Sequence, residues 1–387
     1  MADTNELRAL ADDRFDVIIV GGGMQGLLIA LEASQQGWRC LVLEAGQLCS
    51  AASGASLRII HGGLRYLQSF DFRRSLASAD AQAWFHNEFE DWVQLRQFVL
   101  PLDGGMRNPV SGAVASSLQR ISARLTGLGV ETRPRVLGSA ATSRLMQPFG
   151  AAARSSALLW QEIWIPAIDV LAVEIRRRIV DAGSVVIDNV RADALLIGDR
   201  RIEGVTASSL GQYESLGITG RKVIEATGPG KSVLRHAPVN DLPQLMAFNL
   251  VFDHSINSSI ALGTARSAVT GQSYFAIPQD DRLVIGTAYC PLEKQNVGPN
   301  KDQIGTFLDD FNDTQSGLSL RPDQLHSVLW GAIPQAGSKV LTPATEDFLT
   351  SDKNGIFDNQ YLRVCPAKLT STRIAALQAI EWLRVVW

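Results

Sequence analysis

At 387 residues, with 46% hydrophobic and 19% charged side chains, the chain is long enough for two lobes that each bury a core. A net charge of −3 offers no basic stripe to track a nucleic-acid backbone, so no nucleic-acid partner is expected. The four cysteines (Cys40, Cys49, Cys290 and Cys365) stand far apart with no C-x-x-C pair, which fits reduced thiols and argues against a disulfide scaffold or a zinc site.

Residues 1–14 are polar and acidic, without the apolar stretch of a signal peptide. No run of about 18 apolar residues follows, so no membrane span is expected and the protein reads as cytoplasmic. Residues 15–20 form a short apolar run ending in glycines, which suits a buried parallel strand. A helix is predicted over 24–36, with Leu27, Leu28, Ala30 and Leu31 apolar and Gly37 as its stop. A second strand over 39–43 closes at Glu44, completing a unit of βαβ length. Residues 50–56 contain only Ser, Ala and Gly. A linker is the plain reading, but directly after a strand such residues let the backbone approach a ligand closely.

The spacing then predicts a helix over 71–98, whose Trp84, Phe85, Phe89 and Trp92 read as core. Residues 168–180 read as helix, with Gly183 as a break and 185–187 extended. A hairpin turning near Gly198-Asp199-Arg200 leads to a strand over 222–226 and then to Gly228-Pro229-Gly230. Several short strands are predicted between 245 and 285, among them 249–252 and 283–285. The last helix is predicted over 371–383. No internal repeat occurs.

Gly21-Gly22-Gly23-Met24-Gln25-Gly26 satisfies G-x-G-x-x-G between a strand and a helix, with Glu44 ending the next strand. Gly21 permits the tight turn, Gly23 lets the backbone reach a pyrophosphate, and Gly26 lets helix and strand pack closely. The pyrophosphate meets the positive end of the helix. Glu44 suits the adenosine ribose hydroxyls and would repel a 2′-phosphate. Dinucleotide binding follows, with Met24, Gln25 and Ala45 among the contacts, but the motif does not separate FAD from NAD.

The run 50–67, SAASGASLRIIHGGLRYL, resembles FAD-dependent glycerol-3-phosphate dehydrogenases of the D-amino-acid-oxidase-like flavoprotein superfamily. Three further segments are similar, in the same order: Glu225-Ala226-Thr227-Gly228-Pro229; Phe275-Ala276-Ile277-Pro278 with Ile285-Gly286-Thr287; and Lys368-Leu369-Thr370-Ser371-Thr372-Arg373. Together they span nearly the whole chain. The large helical C-terminal extension of many such dehydrogenases is not expected, the sequence stopping at Trp387.

The resemblance implies an α/β fold with FAD at the junction of two lobes. A Rossmann-like FAD-binding domain (14–67, 160–235 and 335–387) would interleave with an α+β substrate domain on a mixed or antiparallel sheet (68–159 and 236–334). Ser50, Ser53, Ser56 and Arg58 would line the path from pyrophosphate to flavin. His61, Gly62 and Gly63 would lie beside the isoalloxazine, Val190 would touch the adenine, and Ala226-Thr227-Gly228 would close over the cofactor. Lys368-Leu369-Thr370, opening the last helix, would aim donors at the flavin N1 and C2 carbonyl, where reduction places negative charge.

Arg65 and Tyr66 would face the substrate, and Lys368 would reach it. An Arg can hold an anionic group bidentately. Three roles stay open for His61: proton acceptor, flavin-contacting structural residue, or covalent attachment point. The implied reaction is hydride transfer to flavin N5 from a carbon bearing a hydroxyl or amine, with oxygen or a quinone as acceptor. An amine or amino-acid oxidase is the main rival, and a non-catalytic protein or subunit that FAD stabilises is an alternative of another class.

The phosphate half of the pattern is missing. The family's W-A-G-x-R-P segment reads Trp330-Gly331-Ala332-Ile333-Pro334, without its Arg. A second expected Arg is replaced around Thr345-Glu346-Asp347, a family His is Asn249, and the glycine pair before K-L-T is Pro366-Ala367. Loss of two guanidiniums should cost several kcal/mol of phosphate binding, at roughly 1.5–3 each. Glycerol 3-phosphate is therefore not the expected substrate.

Overall fold

The computed structural model describes residues 4–10, 12–64, 66, 71–102, 134–150, 156–199, 201–212, 214–292, 298–314, 317–337, 341–352 and 357–385. The chain divides into two compact units, residues 1–54, 167–245 and 332–387 in the first, and 55–166 and 246–331 in the second. Residues 55–67, grouped on sequence with the dinucleotide-binding domain, cluster with the second unit because Ile59–Ile60 pairs with Ile163 and Trp164.

The first unit is built on an eight-stranded sheet. Its centre is parallel: Arg14–Val20 lies between Leu216–Glu225 and Cys40–Leu43, with Tyr361–Cys365 and Val185–Ile187 beyond them. Cys40–Leu43 and Tyr361–Cys365 are buried at every position, as expected for parallel strands covered on both faces. Phe348–Ser351 joins one edge antiparallel, and the hairpin Val190–Ile197/Ile202–Ser209 pairs antiparallel with Leu216–Glu225. The helix Met24–Gln35 is buried through Ser34 and packs against Thr372–Val385 and Ile168–Asp181. In register, Val20 faces both Leu43 and Glu225. That register brings Gly21, Glu44 and Ala226 together at the carboxyl ends of three strands, where open α/β sheets bind ligands.

The second unit carries a nine-stranded sheet in the order 325–334, 244–252, 282–290, 275–279, 261–263, 94–101, 157–164, 59–60, with 135–137 beside 157–164. Ala261–Gly263 meets Gln94–Pro101 in parallel; the pairs Gln94–Pro101/Ala157–Trp164, Phe275–Gln279/Arg282–Cys290 and Gln244–Phe252/Arg282–Cys290 are antiparallel. Phe248, Phe252, Tyr274, Phe307 and Phe311 centre its main core cluster.

Most elements fall where the sequence places them, with one correction. The helix predicted over 71–98 ends at Glu88; a 3-10 turn over Glu90–Trp92 follows, and Gln94–Pro101 is a strand. Eight registered pairs with Ala157–Trp164 outweigh the local helical spacing. Phe85 and Phe89 are fully buried, and Trp84 meets both edge-on at 5.1 and 5.5 Å, so these aromatics are core. Among the described residues no helix is long and apolar enough to cross a membrane.

Candidate functional site

The glycine loop of the first unit has the geometry its motif demands. Gly21 lies at φ +111°, and a side chain there would meet the Ala226 carbonyl oxygen at 2.6 Å. A Cβ on Gly26 would sit 1.9 Å from the Gly21 carbonyl oxygen, which only glycine avoids. The helix opens at Gly23, which supplies no side-chain cap, with no acidic residue in its first turn, so no charge from its own first turn offsets its positive end. The Met24 N–H donates to Ser53 Oγ at 3.1 Å, holding the small-residue segment over the helix start.

Glu44 bridges this loop. Its Oε2 accepts from the Gly22 N–H at 2.6 Å and its Oε1 from the Gly46 N–H at 2.7 Å. A carboxylate offers about four acceptor sites, so about two remain for hydroxyl donors. Val190 is fully buried and its N–H donates to the Glu44 carbonyl at 2.9 Å, tying Glu44 to the hairpin. Ala45 and Ser50 are exposed, with Ser50 Oγ donating to the Gln47 carbonyl at 2.7 Å. Cys49, in the same turn, is buried, and burial pushes its thiol up to about 12.

Gln25 is the telling residue of the helix start. Its side chain is 95% buried, at 5% exposure, and neither amide atom has a hydrogen-bond partner. An unpaired buried amide is costly, and buried polar groups are otherwise almost always satisfied. The helix start, the side-chain-free Gly23 and the orphaned amide together fit a dinucleotide pyrophosphate.

Ala226, Thr227 and Gly228 stand on a buried ionic network. The Glu225 carboxylate accepts from Thr227 Oγ1 at 2.8 Å, Ser232 Oγ at 2.6 Å, the Val233 N–H at 3.0 Å and the Tyr361 hydroxyl. Burial, then the Glu225 charge, raises the Tyr361 phenol well above its usual range. Arg363, registered opposite Glu225, donates to the carbonyls of Gly228 and Gly230, both at 3.0 Å. In this unit Leu369–Ser371 forms a 3-10 turn before the last helix, with Thr370 buried and the Lys368 N–H donating to Ser371 Oγ at 3.3 Å. Asp347 accepts from the Ala367 N–H at 2.7 Å and Ser371 Oγ at 2.6 Å, fixing that turn.

In the second unit, Ser56 Oγ accepts from the Arg58 N–H at 3.1 Å. The Arg58 guanidinium donates to the Pro166 carbonyl at 2.5 Å and to Gln279 Oε1 at 2.6 Å. His61, Gly62 and Gly63 follow the strand Ile59–Ile60. Gly63 lies at φ +84°, with Ser75 backbone within 2.7 Å of where a Cβ would be. The Gly62 N–H donates to Glu162 Oε2 at 2.6 Å, and His61 Nδ1 lies 3.4 Å from Glu162 Oε1. The Tyr66 N–H donates to the Gly63 carbonyl at 3.0 Å, and the Arg74 guanidinium lies 6.0 Å from the Tyr66 ring centre. Arg65 lies outside the described residues.

A family model described as FAD dependent oxidoreductase matches residues 16–370. The chain belongs to this family. FAD is the family's cofactor, so the expectations of a flavin cofactor and of a flavin-dependent enzyme are borne out, as is the α/β fold. Aerobic glycerol-3-phosphate dehydrogenase of Staphylococcus saprophyticus is 22% identical over 97% of the chain and 68% of the relative. The FAD-complexed glycerol-3-phosphate dehydrogenase of Bacillus halodurans superposes with a TM-score of 0.73 at 19% identity, over 97% of this chain and 66% of that one. Glycine oxidase of Geobacillus kaustophilus superposes with a TM-score of 0.69 at 15% identity, over 97% and 95%. The chain thus spans about two thirds of the dehydrogenases it resembles.

Within this flavoprotein fold, two charged anchors escaped the motif reading, Glu162 and Arg363, while Asp347, read only as the place of a missing Arg, anchors the 367–371 turn. Glu162 and Arg363 are the single charges of the strands Ala157–Trp164 and Tyr361–Cys365, and that interruption was their only signal.

Proposed function

We propose that this chain binds FAD in its first unit and oxidises a small molecule at a C–H bond bearing a hydroxyl or an amino group. The observation that carries the reading is the glycine-loop helix start with the buried, orphaned Gln25 amide in its first turn. Gly21, Gly23, Met24, Gln25 and Gly26 would hold the pyrophosphate, and the free lone pairs of Glu44 the ribose. Ser50, Ser53, Ser56 and Arg58 would line the way toward the flavin. Val190 and the turn 226–228 would cover the adenosine side, and the 368–370 turn would direct its amides at the flavin. These residues would hold FAD, which when bound would supply the hydride acceptor and a route for the electrons to oxygen or a quinone.

His61, with Gly62 and Gly63, would face the reacting centre. His61 would take the hydroxyl or ammonium proton as the hydride departs, with Arg65 and Tyr66 orienting the substrate and Lys368 assisting the proton. The departures at 330–334 and 345–347 argue against a phosphate monoester. They favour, as a second reading, an amine substrate, which needs no guanidinium clamp. A cytoplasmic location accords with the composition. Turnover of the holoenzyme with oxygen or a quinone as acceptor, together with ammonia assays, against polyols and then primary amines, tests the pair of readings. Turnover of an alcohol without ammonia supports the first, ammonia release the second, and no turnover with any member rejects both.

A further inference from the structure

The acceptor geometry at Glu162 assigns His61 one tautomer. Glu162 sits in the strand Ala157–Trp164 with its side chain 3% exposed, and no Lys or Arg pairs with it among the described residues. Three N–H donors and the His61 Nδ1 converge on it. Oε2 accepts from the Gly62 N–H at 2.6 Å and Gln82 Nε2 at 2.6 Å. Oε1 accepts from Trp160 Nε1 at 2.9 Å and faces His61 Nδ1 at 3.4 Å.

Two contacts per oxygen match the acceptor capacity of an ionised carboxylate. A backbone amide and an indole N–H can only donate. Gln82 is 2% exposed, and its Nε2 also donates to the Ile60 carbonyl at 2.8 Å, which fixes its amide orientation. The fourth contact, His61 Nδ1, must then also carry a proton, because a lone pair there would point at a carboxylate oxygen. At 3.4 Å the contact is long for a hydrogen bond, and it joins a side chain 39% exposed at His61 to one 3% exposed at Glu162. A glutamine at 162 would present an NH₂ to these donors, so isosteric replacement does not preserve the arrangement.

We propose that Glu162 is a positioning residue that holds His61 as the Nδ1–H tautomer and thereby leaves the Nε2 lone pair as the proton acceptor. The same carboxylate consumes the Gly62 N–H, so Gly62 is a fixed hinge of this turn and lends its amide to no ligand. Gln82 completes the clamp by tying residues 60 and 62 to one amide. The task given to the Nε2 lone pair rests on the proposed function; the tautomer does not.

The test is nitrogen-15 NMR of histidine-labelled holoenzyme at about pH 9, where ordinary imidazoles are neutral. His61 is one of five histidines, and His61→Asn identifies its signals. The proposal expects a protonated Nδ1 and a bare Nε2 in the native protein, switching to Nε2–H in Glu162→Gln. A native Nε2–H tautomer overturns it, and so does Nδ1–H that persists unchanged in Glu162→Gln. Should Glu162→Gln fail to fold, Glu162→Asp keeps an acceptor-only group on a shorter stem. Exchange of the Nδ1 proton with solvent should then quicken by about tenfold or more, the scale of one charged hydrogen bond; unchanged exchange overturns the proposal. FAD released on heating is scored separately. Its absence rejects the functional reading and leaves the tautomer result standing.

Discussion

Gly26 and Gln25 are adjacent residues under opposite demands. At Gly26 the backbone of Gly21 occupies the space of a Cβ, 1.9 Å away, and backbone cannot swing aside as a flexible side chain can. Gly26→Ala should therefore destabilise the protein by about 3 kcal/mol or more, at the upper end of overpacking costs, and strip its FAD. Chemical denaturation and flavin content on purification check both effects. Gln25 carries an unpaired buried amide. Gln25→Met removes both orphaned atoms at similar volume and should stabilise the FAD-free protein by about 1–3 kcal/mol while weakening FAD binding. Paired melting curves and FAD titrations read the two changes; a variant less stable without FAD contradicts a ligand role for the amide. The glycines and Glu44 were legible in the sequence because their constraint is local, each acting within one strand–turn–helix. Glu162 was not. Gln82, Gly62 and His61 lie 80, 100 and 101 residues away in sequence, and only the sheet register brings them to it.

At the scale of elements, the helix Ile168–Asp181 is held by an internal charge cluster. Glu174 takes Arg177 at 2.8 Å and Arg178 at 2.6 Å, and Arg177 reaches Asp181 at 2.5 Å. Hydrogen bonding to Arg177, ahead of the Arg178 bond and both charges, holds the Glu174 carboxyl down at about 2 against an ordinary 4.5. A depressed carboxylate contributes its stability above the ordinary value and loses it as pH falls toward the depressed one. The melting temperature should accordingly drop between about pH 4.5 and pH 2 more steeply in the native protein than in Glu174→Gln. Equal slopes would contradict the assignment. The same scale explains the one misplaced element. Residues 94–98 continue a helical spacing of aromatics, but eight cross-strand pairs with Ala157–Trp164 were invisible locally and decide the outcome. The parallel strands 40–43 and 361–365 were easier to place, since burial on both faces leaves an apolar run, interrupted at 363 by the arginine that anchors the 228–230 turn.

For the whole molecule, the family assignment rests on a match over residues 16–370 and fixes the cofactor class. The proposed substrate class rests on departures from the family pattern at 330–334 and 345–347, which single-sequence reasoning reaches only by comparison with that pattern. The first unit is assembled from three segments of the chain and the second from two, and the glycine loop, the E-A-T-G-P turn and the K-L-T turn fall one in each segment of the first. The central claim of the proposal is an FAD enzyme whose substrate carries no phosphate group. The measurement that tests it most directly is the visible spectrum of the purified protein without oxygen, before and after glycerol 3-phosphate and then a series of alcohols and amines. The account predicts a flavin band that glycerol 3-phosphate leaves intact and that an unphosphorylated alcohol or an amine bleaches. A protein without a flavin band contradicts the cofactor assignment, and a band bleached by glycerol 3-phosphate contradicts the meaning given to the missing arginines.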